Sequence, residues 1–600
     1  MLSKTHRLSP IYYPDKFSRE LKMESSGSSR AKCMTGNDRE AELKLCDAES
    51  KRAGWITFPF ITGAVALLSV GGAGWMTNLI VYLIEEFNVN RIDAAQINNV
   101  INGCFCLLPV LGAIIADSIL GCFLVASISA FIASTGIVLL SLTATLDSLR
   151  PKPCGNKSNS CRAPSNLQLG VLYTGIVLAT LGASGLRFTT ATLGANQFES
   201  QKDQSTFFNW FFFALYASYV LSSTLIVYVE DSVSWAFGFW LCVAASFTGL
   251  AVFRRGNRYY RHETPQGSPL LSLARVLVAS SRKWKLQLTL NRDEFYYGRD
   301  GQSKEVDVPP RKNFRFLNRA AVKTDGDTKS DNSIAKPWRL CTVRQVEDLK
   351  SVIKVLPLWS SVVFLSTPIA VQNSMTVLQA LTMDRHLGPH FMIPAGSFIV
   401  MVMISTSVSL ALIDRFRSPF PLWKKLTGSP QTVFHRIGVG HLLSVLGMIV
   451  SALIESRRLR TAHLHHLQHV NNHTVPMSAL WLFPQLILVG IGEAFHFPGQ
   501  VLLYFREFPP NLSNSATAMV SAMIGIAYYL STALVDLVRR STGWLPENLN
   551  DGRLDYLYWL LAGVGLANFG YYVVCAKLYE GKDGNSSSNL PMTNDAGEKE

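Results

Sequence analysis

The chain has 600 residues and a formal net charge of +14, yet Asp, Glu, Lys and Arg make up only 16% of it. Soluble domains carry roughly 25%. The shortfall, with long uncharged blocks between charged ones, excludes a string of soluble domains, and no nucleic-acid partner is expected.

Residues 1–53 are polar and charged. No apolar core follows the basic start, so no cleavable secretion signal is expected and insertion falls to the first spanning helix. Met23 opens a second plausible start, MESSGSSRAKCMTG, and residues 1–22 carry no assigned function. Residues 53–84 then contain no Asp, Glu, Lys or Arg, and the same holds for 122–146, 207–229 and 391–413. Crossing a bilayer takes about 20 apolar residues in a helix, because hydrocarbon offers no partner to a bare backbone N–H or C=O. The pattern predicts twelve spans, near 56–84, 94–116, 122–146, 168–194, 207–229, 234–253, 350–372, 391–413, 433–455, 479–505, 514–538 and 555–578.

Between the sixth and seventh spans, residues 254–346 hold 20 Lys/Arg against 9 Asp/Glu, which places them in the cytosol. An even number of spans then puts both termini there as well. The outer side breaks the charge rule at Arg150, Lys152, Lys157 and Arg162, at 457–460, and at Arg539 and Arg540. The sequons at Asn156 and Asn472 fall on that same outer side. Cys154 and Cys161 bracket the loop CGNKSNSC, which a disulfide could close in an oxidising compartment.

The domain organisation is therefore a cytosolic segment 1–53, a six-helix bundle 54–253, a central cytosolic linker 254–346, a second bundle 347–578 and a cytosolic tail 579–600. This all-α polytopic layout, two six-helix bundles around a cytosolic linker, is that of the major facilitator fold, in which the halves rock about a midplane site.

Enzyme motifs are absent: there is no GxxxxGK[ST], no HExxH and no GxSxG at a strand-to-helix turn. No cofactor is called for. The informative residues are rare charges inside apolar helices. Arg187 stands in the fourth span and Glu493 in the tenth; each is costly at that depth unless it meets a partner or a water-filled cavity. A salt bridge between them would close the cytosolic side, and a passing anion could compete for Arg187. Gln96, Asn98, Asn99 and Asn102 share helical spacing in the second span and fit helix-to-helix contacts. His496, one turn past Glu493, reads as a satisfied packing histidine. The run His463, His465, His466, His469 and His473 reads as a solvated loop and not a metal site. The turn GAIIADSILG places Gly112, Asp117 and Gly121 between the second and third spans, with small residues for close approach and Asp117 to cap or pair.

These segments resemble the plant nitrate/peptide transporter family, within the proton-dependent oligopeptide transporters. The similarity runs through GAIIADSILG (112–121), GASGLRFTTATLGANQF (182–198), FFNWFFFALYAS (207–218), CTVRQVEDLKSVIKVLPLW (341–359), MDRHLG (383–388) and GIGEAFHFPGQ (490–500). NLIVYLIEEFNV (78–89) and STGWLPENLNDGRLD (541–555) look most like the nitrate excretion branch, which also holds chloride carriers. The resemblance gives Arg187 and Glu493 the family's fourth-span cation and tenth-span carboxylate. It also implies an ExxE-Arg/Lys proton motif in the first span, and here Val65, Leu68 and Ser69 occupy those places. A seventh-span His of the dual-affinity nitrate carriers is replaced by Ile369 or Ala370.

The sequence thus points to a transporter of a small inorganic anion, nitrate or chloride, working passively and with weak or no proton coupling in the plasma membrane. The alternatives are a proton-coupled importer of a peptide or organic solute, a transport-inactive sensor, and a vacuolar-membrane location.

Overall fold

The computed structural model describes residues 54–587, apart from 152–163, 263–268, 287–293, 299–309, 312, 325, 329–333, 335, 417–429, 468–473 and 508–515. Within it lie twelve helices long and apolar enough to cross a bilayer: α1 Gly54–Thr77, α2 Arg91–Leu120, α3 Cys122–Thr145, α4 Asn166–Ala195, α5 Thr206–Ser232, α6 Trp235–Arg258, α7 Val343–Leu381, α8 Ala395–Ile413, α9 Val433–Leu464, α10 Ala479–Val501, α11 Met519–Ser541 and α12 Leu554–Tyr579. All twelve expected spans are present. Since α6 ends and α7 begins beside the linker, the bundle has a linker end and a far end.

Small residues set the spacing inside each half. In hydrocarbon, helices gain nothing from hiding apolar surface from lipid, so close backbone approach decides the contact. A Cβ on Gly136 would sit 2.2 Å from the Ala179 nitrogen, and one on Gly182 would sit 2.2 Å from that of Ala133, so α3 and α4 lie backbone to backbone. Gly71 and Gly74 bring α1 equally close to Ser246 and Cys242 of α6. Between α2 and α3 the chain turns at Gly121, whose φ of 76° is a backbone shape that favours glycine. Asp117, in the π-helical last turn of α2, neither caps α3 nor pairs with another described residue, contrary to expectation.

Two readings of the outer charges change. Arg457 and Arg460 do not form a basic loop, because α9 continues to Leu464. Arg458 is fully buried there, with Nε and Nη2 on the Glu455 carboxylate at 2.8 and 2.6 Å and Nη1 on Asn550 at 2.6 Å. Arg539 pairs with Asp93, Arg540 with Asp536 at 2.9 Å and Arg150 with Glu86 at 2.9 Å. The far end is basic by count, but these cations are locally neutralised.

The linker also differs from a plain hydrophilic connector. Its described residues build a small lobe in which helix Pro269–Arg282 and the Phe295–Val322 bridge cover Leu273, Val276, Leu317 and Ala320. Lys283 is buried with its ammonium 2.7 Å from both Asp327 and the Val322 carbonyl. The 39 residues of α7 span about 58 Å, against about 30 Å of hydrocarbon. The surplus length leaves the bilayer at the linker end, opening with a Thr342–Gln345 capping box. The lobe docks on that extension through Cys341 N to Ala320 O (2.9 Å), Val343 N to Tyr296 O (3.0 Å) and Lys350 Nζ to Arg311 O (2.8 Å). Its core continues into Val346, Leu349, Val433, Ile437 and Tyr572 of the second half.

Contacts joining the two halves gather at the far end and at mid-depth. At the far end lie the Asp93–Arg539 ion pair, Arg385 3.7 Å from Asp231, Ser397 donating to the Ser223 carbonyl at 2.7 Å, and Tyr228 stacked on Phe391. Deeper, Asn99 donates to Ser374 at 3.3 Å and Cys104 meets the Tyr529 hydroxyl at 2.8 Å. A Cβ on Gly103 would touch the Tyr529 ring at 3.0 Å, and one on Gly525 would meet Leu107 at 2.7 Å. The molecule is closed at its far end.

Candidate functional site: an arginine inside the first half

The seam of small residues on α4 aims Arg187. Gly182 and Gly185 lie against Ala133 and Ser129 of α3, and a Cβ on Gly112 of α2 would sit 3.4 Å from the Gly185 Cα. Arg187 follows two residues later, about 200° round the helix, and so turns away from that seam. It is exposed by surface area although α2, α4 and α5 surround it, as expected of a side chain lining an internal cavity. Its Nη1 lies 3.8 Å from the Cys106 sulfur and its guanidinium 5.1 Å from the centre of the Phe105 ring. Tyr216 and Tyr219 of α5 complete its surroundings. No carboxylate among the described residues comes within ion-pair distance of it.

Glu493 enters from the other half. Gly490 packs on Ser405 and Val402 of α8, and Gly492 on Ser444 and Gly440 of α9, so α10 is held on two sides. Glu493, half-buried, approaches the Thr406 hydroxyl at 3.5 Å. Arg187 and Glu493 do not form the expected salt bridge. They approach the same pair of tyrosines, since both lie within electrostatic reach of Tyr216 on α5 and of Tyr528 on α11. A guanidinium without a carboxylate partner presents several donors in a plane and stays protonated at physiological pH. It can therefore hold an anion.

The matching comparisons agree with one another. Residues 123–549 fit the model of the POT family. Among curated relatives, the NRT1/PTR family 2.7 protein of Arabidopsis thaliana is 49% identical over 551 residues, covering 92% of this chain and 97% of that one.

The chain belongs to the POT family.

Within it, the plant NRT1/PTR proteins are its relatives: family member 2.6 of the same plant is also 49% identical, with 91% and 97% covered, and member 2.13 is 34% identical with 89% and 88% covered. Two solved POT-family structures share the fold at low sequence identity. An auto-inhibited peptide transporter matches at 14% identity with a TM-score of 0.60, covering 90% of this chain and 99% of its own. The transporter PepTSo matches at 15% and 0.61, with 88% and 99% covered. This POT-family chain is a transporter of the major facilitator fold and not an enzyme.

The first-span positions where the resemblance implies a proton motif are packing positions. Val65 joins Leu193, Phe198, Phe207 and Phe211 in one apolar cluster, and Leu68 joins Ala130 and Leu250 in another. Ser69 is half-buried. Asn99 makes its helix-to-helix bond across the halves. His496 is buried but not satisfied: neither ring nitrogen, nor either of His441 beside it, has a hydrogen-bond partner among the described residues. Cys154, Asn156, Cys161 and Asn472 lie outside the described residues.

Nothing in the sequence pattern singled out Phe105, Cys106, Tyr216, Tyr219 or Tyr528. Their only available signal was position: each lies on an apolar helix at a spacing that serves core packing equally well.

Proposed function

We propose that this transporter carries a small inorganic monovalent anion, nitrate or chloride, by alternating access, passively and with weak or no proton coupling. The observation that carries the reading is Arg187, a guanidinium with no counter-carboxylate among the described residues and with Cys106, Tyr216 and Tyr219 around it. The apolar packing of Val65 and Leu68 supports the absence of coupling, because such side chains cannot take up a proton. A negative cell interior drives a monovalent anion outward by about 2.3 kcal/mol per 100 mV, so a uniporter in the plasma membrane serves efflux, as the nitrate excretion branch does. The basic linker favours a cytosolic linker end, and with it cytosolic termini.

Glu493 favours a second reading, proton-coupled import, because it is a titratable group that acts on the same tyrosine, Tyr528, as Arg187. Voltage-clamped flux of labelled nitrate and chloride in proteoliposomes separates the two. Flux set by voltage and indifferent to an imposed pH gradient is expected. Flux that collapses when the pH gradient is removed at fixed voltage rejects the uncoupled reading.

A further inference from the structure

Arg187 and its ring of neighbours, Cys106, Tyr216 and Tyr219, all belong to the first half. A ligand gripped by one half alone binds equally well whether the halves are open or closed, and equal affinity shifts no equilibrium. An anion whose binding draws the halves together therefore needs a second contact on the opposite half.

Four polar groups there lie at or near Tyr216 or Tyr528, and one of them, Asn373, has its side chain engaged by Tyr528 itself. Glu493 carries the wrong charge. The Thr406 hydroxyl is already directed at the Val402 and Gly490 carbonyls, at 2.8 and 3.0 Å. Tyr528 remains. Its phenol is within electrostatic reach of Arg187, Glu493 and Cys106, and it is hydrogen-bonded to the Asn373 side chain of α7, whose amide oxygen is buried with no partner among the described residues, so that the amide N–H is the donor. The Tyr528 proton is thus not committed to that oxygen. Its position is fixed by its neighbours, because Tyr529 and Gly525 hold α11 against Cys104, Gly103 and Leu107 of α2.

We propose that Tyr528 is the second arm of the anion site: its hydroxyl and the Arg187 guanidinium grip one small anion from opposite halves, and that grip draws the halves together. A phenol O–H is a neutral donor, so it adds a bond without a second cation and leaves the anion free to go. The site then takes a weakly hydrated monovalent anion small enough to touch both groups at once. This inference rests on the anion reading above.

The test uses purified full-length protein, titrated with nitrate and with chloride. Two readouts are followed: thermal stabilisation, and the distance between spectroscopic labels on the two halves. Tyr528→Phe keeps the ring and removes the donor. It is expected to raise the half-saturating nitrate concentration roughly tenfold or more, the factor associated with a hydrogen bond to a charged group, and to abolish the nitrate-induced change in label distance. Tyr216→Phe, on the same half as Arg187, is expected to weaken binding while the distance change survives at saturation. A parent protein that responds to nitrate, with Tyr528→Phe responding identically, overturns the bridge alone. A parent protein that responds to neither anion overturns the anion reading and the bridge with it.

Discussion

Arg187 has around it a sulfur, one phenylalanine ring and two tyrosines, and no counter-charge among the described residues. A cation at the centre of a spanning helix costs about 2.5–3.5 kcal/mol on insertion scales, and the exposure of the Arg187 side chain offsets part of that cost. Arg187→Ala is expected to leave a folded, membrane-inserted protein whose anion flux falls to background, as counter-transported label in proteoliposomes would show. Arg187→Lys should retain weak flux, because it keeps the charge and loses the planar fork. Exchanging the charges, Arg187→Glu with Glu493→Arg, should not restore normal selectivity, because the two residues do not form a pair to be inverted. Both charges were visible in the sequence as isolated exceptions in apolar blocks. The tyrosines were not, since an aromatic residue on an apolar helix suits lipid, core and cavity alike. The depth of Arg187 could be read from its position, but its lack of a partner required the fold.

At the scale of elements, sequence hydropathy located every span and misplaced some ends for one physical reason. The ninth span was expected to stop near 455, where Glu455 and three arginines begin. The helix runs to Leu464 because Glu455 and Arg458 neutralise each other inside it. The linker lobe was hidden in a similar way: a count of charges cannot show that Lys283 is spent on Asp327. Breaking a buried pair from one side strands the other charge, at about 3–5 kcal/mol. Lys283→Met is therefore expected to loosen the lobe from α7, and Lys283→Met with Asp327→Leu to recover much of the loss. Protease sensitivity within residues 254–342 would measure both. Burial alone would raise the Asp327 pKa, but the Lys283 and Thr324 hydrogen bonds outweigh it and hold the pKa below the ordinary carboxylate value. A depressed carboxylate pKa contributes stability that is complete above the unfolded value and is lost as pH falls through the folded one. Docking should thus be constant from pH 5 to pH 8 and weaken only in strong acid, below about pH 3.9.

The whole molecule is two halves latched at the far end, and its sidedness follows if the basic linker end faces the cytosol. Far-end loops then face an oxidising exterior, and the short loop from Cys154 to Cys161 is expected to be a disulfide with a glycan on Asn156 between its ends. Treatment of intact cells with a glycosidase should raise the mobility of surface protein, and Asn156→Gln should remove most of that shift. Maleimide labelling of both thiols in unreduced surface protein would reject the pairing. The twofold layout of the halves was plain from span count and linker position. Which end is shut was not, because the closing contacts, Asp93 with Arg539 and Asp231 with Arg385, join residues more than 150 positions apart.

Because the lobe shares one core with α7, α9 and α12 while its surface faces away from them, it acts as a built-in pointer attached to one half. Ser281, on the exposed side of the lobe helix, and Glu199, exposed just beyond α4 on the other half, stand at the linker end without touching the cavity. A pair of fluorophores at these two positions would turn the rocking of single molecules into a colour ratio. Dwell times in each conformation could then be counted in a living membrane, with the transport pathway left unaltered.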